Sequence, residues 1–331
     1  MLRASVLALG LAAPLANPST GMANPLITDT AIFVPANGIT RYDIQPPRGS
    51  WRALANRRIS GLTLSARHLL AGAPDGVHAF ATDTGDPVWH RETETPVFAP
   101  VVHRQLAYVG TQGGALLALD PGTGRTVWKR RFNGWVYPPA MAGGTLIVGG
   151  SGPRLSGIDP DTGAIRWQRR MDQELVYRPV QTAPNRVVVT TFSGTVMALS
   201  GAGSPIWAIR DPAPSLSPAV ADGRLLIAGL DGVLRSRDTR DGRLIWHRKI
   251  TDRFIVTPTV TAKTVLVVHE KTLSILDIDT GRLIREHATP FASTSAPAVS
   301  GGQIVLFSPD GRPHLLDPGE TPGVPLENNN P

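Results

Sequence analysis

Apolar positions in this chain come in short runs, each closed by a turn signal, and residues 218–246 show the pattern clearly. Ser217-Pro218-Ala219-Val220 is a short apolar segment that ends at Asp222-Gly223. Arg224 to Gly229 runs apolar again, Asp231-Gly232 turns, and Val233 to Asp238 forms a third run. Thr239-Arg240-Asp241-Gly242 then leads into Arg243 to Lys249. Asp-Gly between apolar runs predicts a tight hairpin, because both residues tolerate the positive φ that such a turn demands. Four short antiparallel strands in this length of chain make one blade of a β-propeller.

The same pattern recurs with a fixed period. Tryptophan stands at Trp51, Trp89, Trp128, Trp167, Trp207 and Trp246, at spacings of 38, 39, 39, 40 and 39, and the next step lands on Arg285. Four residues before most of these positions is a glycine: Gly85, Gly124, Gly163, Gly203, Gly242 and Gly281. Eight before stand Asp43, Asp120, Asp159, Asp238 and Asp277. A proline marks a third phase at Pro25, Pro100, Pro139, Pro179, Pro218, Pro258 and Pro297. A repeat of this length means a closed or stacked array, and four strands per repeat select the propeller. Each marker has a packing role. The Asp carboxylate accepts backbone N–H groups across the turn, the Gly takes positive φ, and the Trp fills the widening gap between blades. Trp51, Trp89, Asp120, Gly124, Trp128, Asp159, Gly163, Trp167, Trp207, Asp238, Gly242 and Trp246 are therefore assigned to structure. The count predicts an all-β, eight-bladed propeller over residues 24–326, its last repeat ending in a degenerate strand near Gly323 to Leu326. Seven blades, with the first repeat partly used to close the ring, is the alternative.

Composition narrows the function. The chain of 331 residues is 41% hydrophobic and 18% charged, which fits a large core and excludes a disordered polyampholyte. It contains no cysteine, so thiolate catalysis, disulfides, Cys-based metal sites and a lipid on an N-terminal cysteine are excluded. Arg3 followed by the apolar stretch Ala4 to Ala16, with small residues at Gly21 and Ala23, predicts an export signal over 1–23. The mature protein is expected in the periplasm, not lipid-anchored, with 327–331 as a polar tail. The eight histidines show no HExxH and no close pair along the chain, and neither a Gly-x-Ser-x-Gly elbow nor a P-loop occurs. Gly149-Gly150-Ser151-Gly152 falls where a hairpin turn is due. No catalytic residue, metal or cofactor is expected, and no nucleic-acid partner. A net charge of +7 permits an anionic partner.

The segment Ala118 to Trp128 (ALDPGTGRTVW) resembles the docking motif of quinoprotein, or PQQ-like, repeats: Ala-x-Asp-x-x-Thr-Gly-x-x-x-Trp. Ile158 to Trp167 is similar, and Ser236 to Trp246 keeps the Asp, Gly and Trp. Two groups share this repeat. PQQ-dependent dehydrogenases carry an adjacent cysteine pair beside the quinone and a calcium or lanthanide held by acidic and amide side chains. Neither the cysteines nor a converging set of carboxylates is visible here. The other group is the non-catalytic periplasmic propellers of the BamB type. That likeness implies a scaffold in outer-membrane β-barrel assembly: a monomer within a complex, binding periplasmic or outer-membrane assembly proteins and their unfolded barrel clients. A PQQ-dependent dehydrogenase or quinone-binding protein is the alternative.

Two places are expected to meet partners. Phe98, Tyr137 and Tyr177 stand two residues before the marker proline, Trp135 and Phe254 stand four before, and Arg178 is among them. Aromatic residues with an Arg on loops of one face fit a protein-binding hot spot; filling the inner blade core is the competing role. The second is a basic belt after each Trp: Arg52, Arg91, Lys129-Arg130-Arg131, Arg169-Arg170, Arg210 and Arg248-Lys249. Charge on a free outer strand discourages edge pairing. It would also give weak electrostatic contact with a membrane or an acidic partner.

Overall fold

Asp222 (φ 44°) and Gly223 (φ 72°) both take positive φ in a computed structural model of the chain, forming the tight hairpin that joins Ala219–Ala221 to Arg224–Ala228. The structure describes residues 24–316 apart from 29, 36, 44–49, 67, 176, 255, 294 and 301–302. Val233–Asp238 and Leu244–Lys249 complete this blade, with strand order following chain order. Seven such four-stranded antiparallel sheets and an eighth, three-stranded among the described residues, succeed one another along the chain. The blades occupy 26–58, 61–92, 101–131, 140–170, 180–210, 219–249, 259–288 and 298–316. Every element among the described residues is a strand.

The fold is thus the eight-bladed β-propeller, and the first repeat is a whole blade of its own rather than a strap that closes a seven-membered ring. Ring closure rests on side chains. Ile32, Val34 and Tyr42 of blade 1 pack with Ala298, Val305 and Phe307 of blade 8. The export segment 1–23, the degenerate strand near 323–326 and the tail 327–331 lie outside the described residues.

The core lies between blades. Leu70, Val77 and Ala79 of blade 2 interlock with Ala107, Val109, Leu117 and Leu119 of blade 3, and the pattern repeats around the ring. Middle strands are covered on both faces, so they read as unbroken apolar runs, as in Ala115–Leu119, where every residue is buried. Outermost strands have one covered face, so burial alternates, as in Thr126–Arg131.

Adjacent blades are joined by the docking motif. Asp120 Oδ1 accepts the N–H groups of Gly122 at 2.8 Å and Thr123 at 3.0 Å, which shapes the turn. Trp89, one blade earlier, donates its indole N–H to the carbonyl of Pro121 at 3.1 Å. Trp51, Trp128, Trp167, Trp207 and Trp246 do the same to Thr82, Pro160, Gly201, Thr239 and Ile278 at 2.8–3.1 Å. Within its own blade each of the last five Trp residues in the ladder faces a small residue on the neighbouring strand: Ala79, Ala118, Gly157, Ala198 and Ser236. A bulge follows that pair in every case and adds twist just before the turn.

Candidate functional site

In three blades the loop that enters the innermost strand is already tied to the second strand. The N–H groups of Phe98, Tyr137 and Leu216 donate to the carbonyls of Gly110, Gly149 and Ala228, each at 2.9 Å. The same phase of three blades therefore lies at one face of the ring, around the channel that a propeller encloses. Gly149 and Gly150 begin the hairpin connection between Thr145–Val148 and Arg154–Ile158 and also serve this packing: neither has positive φ, and a Cβ would strike Leu175 at the first and the Trp135 carbonyl at the second.

The structure separates the six aromatic-loop candidates. Phe98, Tyr137 and Phe254 are buried, at 7%, 6% and 1% exposure, and act as core. Phe98 meets the Tyr137 ring edge-on at 5.4 Å between centroids and Trp135 at 6.0 Å. Trp135 is half-buried against that cluster, which also holds Leu175. Tyr177 is half-buried against Leu216 and Phe254 in the next cluster. Arg178 is exposed. Trp135, Tyr177 and Arg178 thus form the solvent-facing edge of an arc whose floor is Phe98, Tyr137 and Phe254.

Electrostatics add two residues to that edge. Burial pushes the Tyr137 hydroxyl up to about 12, and the Glu174 carboxylate and Tyr177 add to the shift. Burial also raises Glu174 and Tyr177, the latter opposed by the Arg253 guanidinium. Arg178 is exposed, yet desolvation by the surrounding protein lowers its pKa below the ordinary arginine range. Among the described residues it has no hydrogen-bond or ion-pair partner. The edge presents aromatic surface, two exposed guanidiniums (Arg178 and Arg253) and a half-buried carboxylate. Glu174 and Arg253 escape a reading keyed to the proline phase, although Arg253 directly precedes Phe254.

The basic belt divides by strand alternation. Arg130 Nε donates to the Gly163 carbonyl at 2.7 Å, Arg169 Nε to Gly203 at 3.3 Å and Arg248 to Gly281 at 3.4 Å. These three cations fasten their blade to the next one's docking turn, a role beyond edge protection. Arg52, Arg91, Lys129, Arg131, Arg170, Arg210 and Lys249 are exposed, and so is Arg248 despite its bond.

A quinone and its calcium do not fit these residues. The chain has no cysteine pair, and Asp120, Asp159, Asp238 and Asp277 are committed to the N–H groups of their own turns. Among the described residues, the one trio of His, Asp or Glu donors close enough to share an ion is Asp75, His78 and His90, on the outer part of blade 2. Strand register places His78 directly opposite His90, a pairing hidden by their separation along the chain. A groove of about 520 Å³ lies between Trp167–Arg170 and Ala202–Pro205, where the outer strand of blade 4 meets the docking turn of blade 5.

A family model described as outer membrane protein assembly factor BamB matches residues 36–134, 73–214 and 118–320, in overlapping windows that follow the repeat. Among solved structures, the chain is similar to the computationally designed Ika8 protein, with a TM-score of 0.79 at 14% identity over 90% of this chain and 96% of that one. It is also similar to BamB from Moraxella catarrhalis, with a TM-score of 0.72 at 18% identity over 87% of this chain and 92% of that one. At these identities the structural likeness is one of fold. No curated protein matches the chain.

Proposed function

The chain belongs to the family of the outer membrane protein assembly factor BamB, and on that premise we propose that it is a non-catalytic scaffold that binds protein partners in outer-membrane β-barrel assembly. The observation that carries this reading is the Trp135–Tyr177–Arg178 edge, with Arg253 beside it. Half-buried aromatics on a rigid floor lose little entropy on binding, and an unpaired Arg with an apolar surround is the usual anchor of a hot spot. A partner presenting an apolar side chain flanked by a carboxylate matches that edge. Backbone bonds hold Phe98 and Tyr137, part of the floor beneath that edge, to the second strands of their blades.

The apolar N-terminal stretch supports export to the periplasm, where such partners and unfolded barrel clients are met. Among the described residues no helix is long and apolar enough to cross a membrane. The exposed belt cations support a weak, salt-sensitive contact with anionic headgroups, since attraction between exposed charges fades beyond about 10 Å at 0.1 M salt. The dehydrogenase reading has the repeat in its favour and the donor residues against it. Purified protein mixed with PQQ and Ca²⁺ is expected to give no dye reduction with alcohols or sugars; turnover would overturn the scaffold reading.

A further inference from the structure

We propose that Asp75, His78 and His90 form a binding site for a borderline transition dication such as Zn²⁺ on the outer part of blade 2. Asp75 sits in the hairpin between His68–Ala73 and Gly76–Ala81, His78 is on the second of these strands, and His90 is on the outermost strand Pro87–Glu92. The two imidazoles are stacked, with centroids 3.9 Å apart and planes 9° from parallel. Both Nε2 atoms lie beside Asp75: His78 at 3.0 Å from Oδ1, and His90 at 3.4 Å from the backbone carbonyl and 3.8 Å from Oδ2. Two nitrogens and one oxygen are the ligand set of a zinc-class ion, whereas calcium and magnesium take oxygens alone.

Ligation requires the stacked rings to open so that both Nε2 lone pairs point at one ion. The three donor atoms lie within 4.8 Å of one another, while ligands of a tetrahedral ion at about 2.0–2.1 Å from the metal stand roughly 3.4 Å apart. His90, at 40% side-chain exposure, has room to rotate inward; His78, at 11%, is held against Phe80 and supplies the fixed ligand. Ligation through Nε2 requires the neutral imidazole of His78 to carry its proton on Nδ1, a change of tautomer that releases no proton. Burial favours the neutral imidazole of His78, although its bond to Asp75 opposes this. A fourth position faces water, which makes the site open rather than closed.

One group competes for the site. Arg57, on the outer strand of blade 1, is paired with the same Asp75 carboxylate. An arriving ion displaces that guanidinium, so metal binding and the blade 1–blade 2 tie oppose each other.

The test is titration of the tag-free full chain with Co²⁺, followed by its visible absorption and by displacement with Zn²⁺. One Co²⁺ per chain is expected, with the bands of a four-coordinate nitrogen–oxygen site. His78→Ala and His90→Gln should weaken binding by more than the roughly 10–100-fold that loss of an orienting partner alone costs. His90→Gln keeps an exposed polar residue on the strand, so a wild-type melting temperature shows that the ligand was lost and not the fold. Arg57→Ala should tighten binding several-fold. Absence of stoichiometric binding, or binding that both histidine substitutions leave unchanged, overturns the site.

Discussion

The indole of Trp89 covers Gly124 of the following blade so closely that a Cβ on Gly124 would fall 2.6 Å from the ring carbon Cε3. Gly124 also has φ of 72°, a conformation that costs an L-residue about 1–2 kcal/mol. Trp128 and Gly163, Trp167 and Gly203, Trp207 and Gly242, and Trp246 and Gly281 repeat the contact. The blades are joined by one local device copied around the ring. Gly163→Ala is therefore expected to lose roughly 2–4 kcal/mol, from backbone strain plus displacement of Trp128. Urea unfolding measures this; a wild-type midpoint would refute the docking account.

The tryptophan ladder is visible in the sequence, but its complement is not. Ala118, fully buried, lies opposite Trp128, and in blade 7, where Arg285 replaces Trp, the opposing residue is Ile275. Bulk on one strand is balanced by smallness on the next, and the balance shows only once register is known. Ala118→Leu should destabilise by about 1–3 kcal/mol through overpacking, whereas Ile275→Ala should open a cavity instead. Thermal melts of the two variants separate these outcomes, since only the alanine variant should gain stability on binding small apolar solutes.

Acid should loosen the ring through its turns. Arg166, bonded at 2.6 Å, together with the Thr162 N–H and hydroxyl, holds the Asp159 carboxyl down at about 2. The unfolded value is near 3.9. A folded pKa below the unfolded one gives stability that is full above pH of about 4 and is lost as pH falls toward 2. Asp159→Asn should lower stability at neutral pH and flatten this acid limb. An unchanged slope in urea melts from pH 5 to 2 would count against the assignment.

Strand alternation divides the basic belt into two experiments. Arg130→Glu removes a charged hydrogen bond to the Gly163 carbonyl and sets two acceptors face to face, so a loss of about 1–3 kcal/mol is expected. Arg131→Glu with Arg170→Glu changes exposed charge and breaks one exposed salt bridge, Arg131–Glu94, and should leave melting nearly unchanged. That pair should, however, weaken binding to vesicles containing anionic lipid at low salt. Equal effects of both changes on melting would contradict the division.

The site was less legible than the fold. A phased ladder tells which loop a residue occupies, yet Phe98, Tyr137 and Tyr177 share a phase and differ in burial. The difference comes from neighbours: Leu175 and Trp135 close over the first pair, while Tyr177 stands at the rim beside Arg178. Period finding cannot resolve this, because it depends on side chains contributed by the adjacent blade. His78 and His90 were hidden for the same reason, since only the strand register brings them together.

The most direct test of the scaffold reading is capture of outer-membrane barrel-assembly components from detergent-solubilised membranes. Wild-type protein is compared with the Trp135→Ala, Tyr177→Ala, Arg178→Ala triple variant at matched melting temperature. Wild-type protein should retain those components through moderate salt, and the triple variant should lose at least about tenfold in affinity, the equivalent of 1.4 kcal/mol. Failure of the wild-type protein to retain them, or equal retention by the folded triple variant, would contradict the account.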